Sequence, residues 1–378
     1  MRLLKFDSIH PGNFLNKKKE EWGPSYKNWN KTTYYNELIS LRANFSDFYS
    51  FYLNQKGWVA EEFFTNDPDF LIKIEKELFG DKSFWLNKAR AIRKKIGFNV
   101  QPWKLHIISS YINFYRPDII FCRERTSIPS SFWGQFRDTS LLVARLSAPL
   151  PANWSPLDFD VIYTDIPVYQ DFFSFNNVKL HINNNGFDER ILDEITIKTK
   201  IFDLSFVGGL GGNEFKERTH FFEQIAEIFG DRFFWWGYKM GTLSNRLESR
   251  HQGITAGKET FQIYKDSKIV LNDYIDIARN KAVNQRIYEV LGVGTFMLTR
   301  FSESLWEKFP RHSIATFNDL TDCKNKILYY LSNEKEREET AIDLQKIVLQ
   351  QYNYRNMVDK LSDELEADYR EKFPTNLF

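Results

Sequence analysis

Glycine is concentrated at one point where the chain could meet a phosphate. In Ser205-Phe206-Val207-Gly208-Gly209-Leu210-Gly211-Gly212-Asn213, an apolar run delivers four glycines in five positions to the start of a helical stretch. Glycine lets backbone amides approach a ligand closely, and a helix N-terminus carries partial positive charge. Together they make an anion site. Lys216 and Arg218 follow in the first turns and add positive charge. The plainer alternative is a flexible turn before a solvated basic helix. The spacing is not G-x-x-x-x-G-K-[ST], which argues against a P-loop NTPase. It also matches G-x-G-x-x-G poorly and lies mid-chain, so a hydride-transfer domain is not favoured.

A second constellation runs from Asn284 to Thr299. Ile287, Val290 and Leu291 form an apolar helix face, and Gly292 and Gly294 end the helix and release a buried strand. Glu289 sits among these apolar neighbours, where an ionised carboxylate is costly unless paired. It can accept bonds from ligand hydroxyls, or it can pair with Arg286 three residues away. The residues alone leave both readings open.

These groups need a scaffold, and the hydrophobic pattern supplies one. Leu3–Phe6, Gly57–Ala60, Pro117–Cys122, Leu141–Arg145 and Phe159–Thr164 read as strands. Helical stretches fall at Tyr34–Gln55, Pro68–Phe79, Asp81–Lys95 and Lys104–Phe114, with a polar, aromatic insertion at Lys17–Thr33. Strands alternating with helices imply a mostly parallel sheet. The breaker-rich turn His181–Asp188 is the candidate hinge. The alternation then restarts, with strands at Phe202–Val207, Phe233–Trp236, Lys268–Leu271 and Thr295–Thr299. Helices are expected at Asn213–Phe229, Glu259–Lys265, Ala282–Leu291, Leu320–Tyr330 and Glu334–Gln351, with a last amphipathic helix over Tyr354–Glu371. The expected division is residues 1–183, 184–355 and a C-terminal helix, 356–378, that packs back on the first domain.

The bulk composition narrows the function classes. The 378 residues suggest two domains or three. The net charge of +1 gives no long-range field for nucleic acid, so any basic site must be local. Cys122 and Cys323 are the only cysteines, too few for a disulfide scaffold or a thiolate metal site. No stretch approaches the ~20 apolar residues of a membrane-spanning helix, and the opening apolar run is too short for a signal peptide. A cytoplasmic location is expected. Aromatic residues reach 17%. That abundance suits either aromatic-rich cores or a groove that stacks on sugar or base rings.

The string Arg286-x-x-Glu289-x-x-Gly292-x-Gly294-x-Phe296-Met297-Leu298-Thr299 resembles a segment of the CgeB-like, spore-maturation-type glycosyltransferases, which belong to the GT-B class. Phe206-Val207-Gly208 with Arg218 downstream, and Ile263-Tyr264-Lys265-Asp266-Ser267-Lys268-Ile269-Val270-Leu271-Asn272, are similar to other segments of that family. So are Thr316–Leu320 and Tyr352–Arg355. The similarity covers roughly residues 183–361. It implies an α/β, GT-B architecture of two Rossmann-like domains facing across a cleft, with a C-terminal helix crossing back. The first domain would bind the acceptor and the second the donor.

The resemblance also implies roles. Glu289 would bind hydroxyls of the donor's ribose or sugar, and Lys216 and Arg218 would neutralise its diphosphate. Arg286, Gly208, Gly209 and Gly211 would complete the donor site. Gly257, in the loop Ile254–Lys258, lies where relatives contact the donor through backbone, unless the loop is a plain helix-entry turn. Many retaining relatives carry a second glutamate eight residues before the first, where this chain has Lys281. Tyr238, at the end of a strand, could stack on a donor base or serve packing. His10, after the first strand, could serve as a general base, the residue type most often used for that role, or is a turn histidine. Glu124, between Arg123 and Arg125, is the second candidate base, or is paired to those arginines.

The expected activity moves a sugar from an activated donor, nucleotide-diphosphate in kind, to a glycan, lipid-linked or protein acceptor. No cofactor is expected beyond the donor as substrate. No metal is expected either, because protein cations can hold the leaving phosphate. Asp67-Pro68-Asp69 and Asp158-Phe159-Asp160 have the letters of a metal-binding triplet but read as a helix cap and a strand entry. Peripheral membrane contact fits the lipid-linked option. A sugar-nucleotide epimerase of the same fold is one alternative, and a non-catalytic partner subunit is another.

Overall fold

The computed structural model describes residues 1–10, 12–44, 46–80, 101–147, 154–166, 169, 178–182, 185–196, 199–275 and 283–374. The expected helix Asp81–Lys95 and Lys281 lie outside them. The chain divides into two compact units. The first comprises residues 1–163, 173–181 and 361–378, and the second residues 164–172 and 182–360.

The first unit is built on a six-stranded sheet in the order β2-β1-β3-β4-β5-β6. The strands are β1 (Arg2–Asp7), β2 (Val59–Phe64), β3 (Ile119–Cys122), β4 (Leu141–Leu146), β5 (Val161–Thr164) and β6 (Lys179–Ile182). β1 pairs in parallel with β2 and β3, and β3 with β4. β3 and β4 are buried along their whole length, as expected of central strands covered on both faces. The helices are α1 (Gly12–Trp22), α2 (Lys31–Ser40), α3 (Ser50–Gln55), α4 (Pro68–Phe79) and α5 (Gln101–Tyr115). Two expectations change here. The aromatic insertion carries the second half of α1, and the expected helix Tyr34–Gln55 is broken in two. Arg42, Asn44 and Ser46 have positive φ at the break, a conformation that no α-helix continues through.

The second unit carries a parallel five-stranded sheet in the order β13-β12-β11-β7-β9. Its strands are β7 (Phe202–Val207), β9 (Phe233–Trp236), β11 (Ser267–Asn272), β12 (Phe296–Arg300) and β13 (Ala315–Phe317). Two short strands, β8 (Leu210–Gly211) and β10 (Lys239–Met240), pair with each other. The helices are α6 (Lys216–Phe229), α7 (Asn245–Glu248), α8 (Lys258–Lys265), α9 (Gln285–Gly292), α10 (Leu305–Lys308), α11 (Leu320–Ser332) and α12 (Glu334–Gln351), while α13 (Tyr354–Lys372) begins in this unit and from residue 361 belongs to the first. Phe221, Phe222, Ile225 and Phe229 recur at helical spacing along α6 and bury that face against Phe206, Phe233 and Phe317. The hinge candidate is pinned within this unit, since Phe187 donates to the Tyr352 carbonyl and accepts from Tyr354 N–H.

Both sheets reverse strand order at one point. In the first unit the reversal lies between β1 and β3, in the second between β7 and β11. A doubly wound sheet opens a crevice outside the carboxyl ends of the strands at such a point. The residues that leave those ends are Asp7 and Arg123 in one unit, and Gly208 and Asp273 in the other.

Candidate active site

The switch point of the second unit gathers residues from three stretches of chain. Asn272, fully buried at the end of β11, accepts from Arg286 Nη1 at 2.6 Å and from Asn284 Nδ2 at 3.0 Å, and donates to Thr299 Oγ1 at 2.8 Å. The Arg286 guanidinium lies over the Phe206 ring, 4.7 Å from its centre. Gly208 is the residue that permits this. A Cβ there would sit 2.5 Å from Arg286 Nη2 and 2.8 Å from Phe206 Cζ. Arg286 Nε is nevertheless buried without a hydrogen-bond partner, as are Asn284 Oδ1 and Gln285 Oε1. Three consecutive residues at the start of α9 thus hold polar atoms away from water and unsatisfied. Such atoms carry a desolvation cost that a ligand can relieve.

Glu289 lies one turn further along α9 and is half-buried. Burial pushes its carboxyl up to about 7, against the positive charge of Arg286 and a bond from Gln285. Arg286 influences it only through the field, its bond going to Asn272 instead. The pairing alternative is therefore not what holds Glu289.

The glycine run is shaped differently from an amide cradle opening directly into a helix. Leu210–Gly211 forms β8, and a 3-10 turn, Asn213–Phe215, precedes α6. Three of the amides are engaged within the protein: Gly208 N–H with Trp236 O, Leu210 N–H with Tyr238 O, and Gly211 N–H with Thr219 Oγ1. The glycines provide close approach instead. A Cβ on Gly209 would meet the Tyr238 ring at 2.4 Å, and one on Gly211 the Met240 carbonyl at 2.0 Å. Arg218 turns inward. Its guanidinium packs over Phe215 at 4.2 Å, and Nη2 donates to the Gly209 carbonyl at 2.5 Å. Lys216 is exposed and lines a groove of about 360 Å³ with His220, Phe221 and Arg300. Tyr238 is 41% exposed beside the glycine loop. Gly257 has φ +58° and caps the start of α8, and the buried Thr255 hydroxyl meets Thr260 Oγ1 at 3.2 Å.

Sequence reasoning did not single out Asp273 or Arg300 as site residues. Asp273, fully buried, accepts from Arg300 Nε at 2.7 Å and Nη2 at 3.1 Å. The signal was available in Asn272-Asp273, a polar pair directly after a buried strand, whose side chains must find partners.

The first unit's switch point holds the two candidate bases. His10 is exposed, and its Nε2 lies 2.7 Å from Ser8 Oγ. Glu124 is fully buried and does not pair with its flanking arginines. Its carboxylate accepts from Thr126 N–H at 2.8 Å, Ser127 N–H at 2.7 Å and Thr65 Oγ1 at 2.8 Å. Burial alone would raise it, but these bonds and the Lys104 charge hold it down at about 2. Arg123 bonds Asp7 instead, at 2.8 Å. Asp67 caps α4, accepting from Asp69 N–H, Tyr34 Oη and Lys19 Nζ, and Asp160 pairs with Arg137 and Lys372. Among the described residues no group of three His, Cys, Asp or Glu side chains gathers as a metal site would require. No helix among them is long and apolar enough to cross a membrane.

Residues 217–363 match the family described as glycosyl transferase-like. No curated protein matches the chain. Among solved structures, sucrose-phosphate synthase from Thermosynechococcus elongatus aligns over 100% of both chains, with 11% identity and a TM-score of 0.55. Anabaena HepE, solved with UDP and glucose, aligns over 97% of this chain and 100% of its own, with 11% identity and a TM-score of 0.55. A glycosyltransferase from Rickettsia africae aligns over 100% and 99%, with 10% identity and a TM-score of 0.51. At such identities the structural likeness is one of fold.

Proposed function

We propose, for a chain whose fold is GT-B and whose activity is glycosyl transfer, that the donor is a nucleotide-diphosphate sugar bound at the switch point of the second unit. The acceptor is a glycan, a lipid-linked glycan or a protein, and the chain stands closest to the CgeB-like branch. The observation that carries the reading is the set of buried, unsatisfied polar atoms on Asn284, Gln285 and Arg286, one turn from Glu289. A diphosphate would take the Arg286 donor, and sugar or ribose hydroxyls would take the Asn284, Gln285 and Glu289 acceptors. The complex in the Anabaena neighbour, which holds UDP and glucose, is consistent with this donor class.

The reaction forms a bond between an acceptor oxygen and the anomeric carbon and breaks the bond from that carbon to the phosphate. The acceptor hydroxyl loses its proton, and the nucleoside diphosphate leaves with the electron pair. The protein's task is to stabilise the charge that grows on the leaving phosphate, and fixed cations do this without reorganising. Arg286 is held by Asn272 and the Phe206 ring, and Lys216 is an exposed cation of the same unit. In this reading Arg218 positions the glycine loop, Tyr238 offers a ring to the base, and Gly257 offers backbone. No metal or cofactor is required. His10 is the acceptor base we retain, because Glu124 is already committed as an acceptor of internal bonds. The reaction would run in the cytoplasm, where the two buried free thiols, Cys122 and Cys323, stay reduced.

Calorimetric titration of the wild-type chain and Arg286→Ala with a panel of nucleotide sugars tests the donor site. One donor should bind the wild type and bind the variant at least about tenfold more weakly, since charged hydrogen bonds are worth roughly 1.5–3 kcal/mol. Equal affinity in a folded variant would remove Arg286 from the site.

A further inference from the structure

The aromatic insertion of the first unit packs against α4, the helix that follows β2. Helix α1 begins just past the end of β1, and Lys19 on it bridges Asp67 and Asp69, each at 2.6 Å, at the start of α4 just past β2. Four rings converge there. Trp22 lies 5.4 Å from Trp29 and 6.2 Å from Tyr26, and all three lie within 6.2 Å of Tyr34. The centre of the cluster is already filled, because Tyr34 is fully buried and its hydroxyl donates to Asp67 at 2.7 Å. Trp22, Tyr26 and Trp29 are each half-buried, so part of each ring faces outward.

The turn that carries these rings is held rigid by one cation. Lys73 Nζ, on α4, donates to the carbonyls of Tyr26 at 3.2 Å, Lys27 at 3.2 Å and Trp29 at 2.7 Å, and lies over the Tyr34 ring. Three carbonyls on one buried ammonium fix the backbone from Tyr26 to Trp29. Rigid Trp and Tyr side chains give large contact area at little entropic cost, and ordering them before binding favours affinity. Net positive charge on the neighbouring helix is muted, since Lys18 pairs with Glu21 at 2.8 Å and Lys19 is neutralised by its two aspartates.

We propose that Trp22, Tyr26 and Trp29 form a stacking surface for the neutral pyranose rings of the acceptor glycan. The inference rests on the glycosyltransferase reading for the identity of its ligand, and it commits that reading to a carbohydrate acceptor. A pyranose presents an apolar face of C–H groups and a polar rim, the complement of an aromatic ring bordered by charged side chains.

The test uses the full chain labelled with 5-fluorotryptophan, with the Trp22 and Trp29 resonances assigned from Trp22→Phe and Trp29→Phe. Titration with cellohexaose, maltohexaose and chitohexaose should shift both resonances saturably for at least one sugar. Trp29→Ala should weaken that sugar at least tenfold and leave UDP-glucose binding as it is in the wild type, while Trp29→Phe should retain most of the affinity. If no hexasaccharide moves either resonance, the stacking surface is refuted, and unchanged UDP-glucose binding would leave the donor reading standing. If a hexasaccharide binds there but no nucleotide sugar binds the protein, the donor reading fails and the stacking surface survives. Should Trp29→Ala not fold, the resonance shifts in the labelled chain decide the matter alone.

Discussion

Glu289 is half-buried and Glu124 fully buried, and their surroundings push their carboxyls in opposite directions. Nothing bonds Glu289 strongly enough to offset desolvation, so its carboxyl is held up at about 7 against an ordinary 4.5. A carboxyl raised in the folded state contributes stability that is complete below pH 4.5 and is lost as pH rises through 7. Glu289→Gln should therefore gain melting temperature over the wild type at pH 8 and show little gain at pH 5. Its donor affinity should fall by about tenfold or more, since it keeps one acceptor oxygen but loses the charge. Melting curves at the two pH values, with donor titration at neutral pH, check both expectations. Unchanged donor affinity would make Glu289 structural. Glu124 carries the opposite sign. Its carboxyl is held at about 2, so it supplies stability above its ordinary range that is lost as pH falls toward 2. Glu124→Gln should melt earlier than the wild type at pH 7 and leave the neutral limb of the pH–rate profile where it was. A shift of that limb would restore Glu124 as the base.

At the level of elements, the C-terminal edge of the second sheet is assembled by glycines that let backbones touch. Gly237 has φ +138°, and a Cβ there would lie 2.1 Å from the Gly208 carbonyl oxygen. That carbonyl is backbone and cannot rotate away as a side chain would. Gly253 also has positive φ, +102°, but nothing lies within 4 Å of its Cβ position. Gly237→Ala should cost more stability than Gly253→Ala by about 2 kcal/mol or more, read from denaturant midpoints. It should also weaken donor binding, because moving Gly208 moves the ground on which Arg286 packs. Equal midpoints for the two variants would show that the β7 and β9 ends can separate without cost. The positions of most strands and the parallel character of the sheets were legible from buried apolar runs and their alternation with helices, whereas the strand order came from the structure. The break between α2 and α3 was not, because Arg42, Asn44 and Ser46 adopt positive φ under tertiary packing and no glycine announced it.

Across the whole chain, the last segment belongs with the first unit although it is contiguous in sequence with the second. Leu361, Leu365 and Tyr369 bury one face of α13. Asp368 accepts from His181 at 2.8 Å and pairs with Lys179 at 2.6 Å, and Lys372 pairs with Asp160 at 2.6 Å. Burial opposes ionisation of Asp368, but its bonds to His181 and Lys179 prevail and hold its carboxyl below the usual range. The pairing therefore stabilises the first unit above that range and is lost as the solution is acidified. Asp368→Asn should lower the melting temperature at pH 7, and the difference from the wild type should shrink below pH 4. A constant difference across that range would show that packing, and not charge, ties the segment down.

The sequence by itself determined two parallel α/β sheets, the restart of the pattern near residue 187, and a helix presenting Arg286 and Glu289 ahead of two glycines. Periodicity and strand–helix alternation are local properties, and local sequence carries them. The tertiary structure alone decided what the glycines of 208–212 are for. The Gly208 and Leu210 amides bond to the Trp236 and Tyr238 carbonyls, far along the chain and brought beside them by the sheet, and the Gly211 amide bonds to Thr219 on α6. It also decided that Arg218 points inward to Phe215 and the Gly209 carbonyl while Arg286 lies over Phe206 and bonds Asn272, and that Glu124 is spent on Thr126, Ser127 and Thr65. The physical reason is the same in each case. A polar side chain's role depends on which donors and acceptors reach it before a ligand does, and that is settled by how the folded backbone presents them, whether near in sequence, as Thr126 and Ser127 are to Glu124, or far, as Thr65 is.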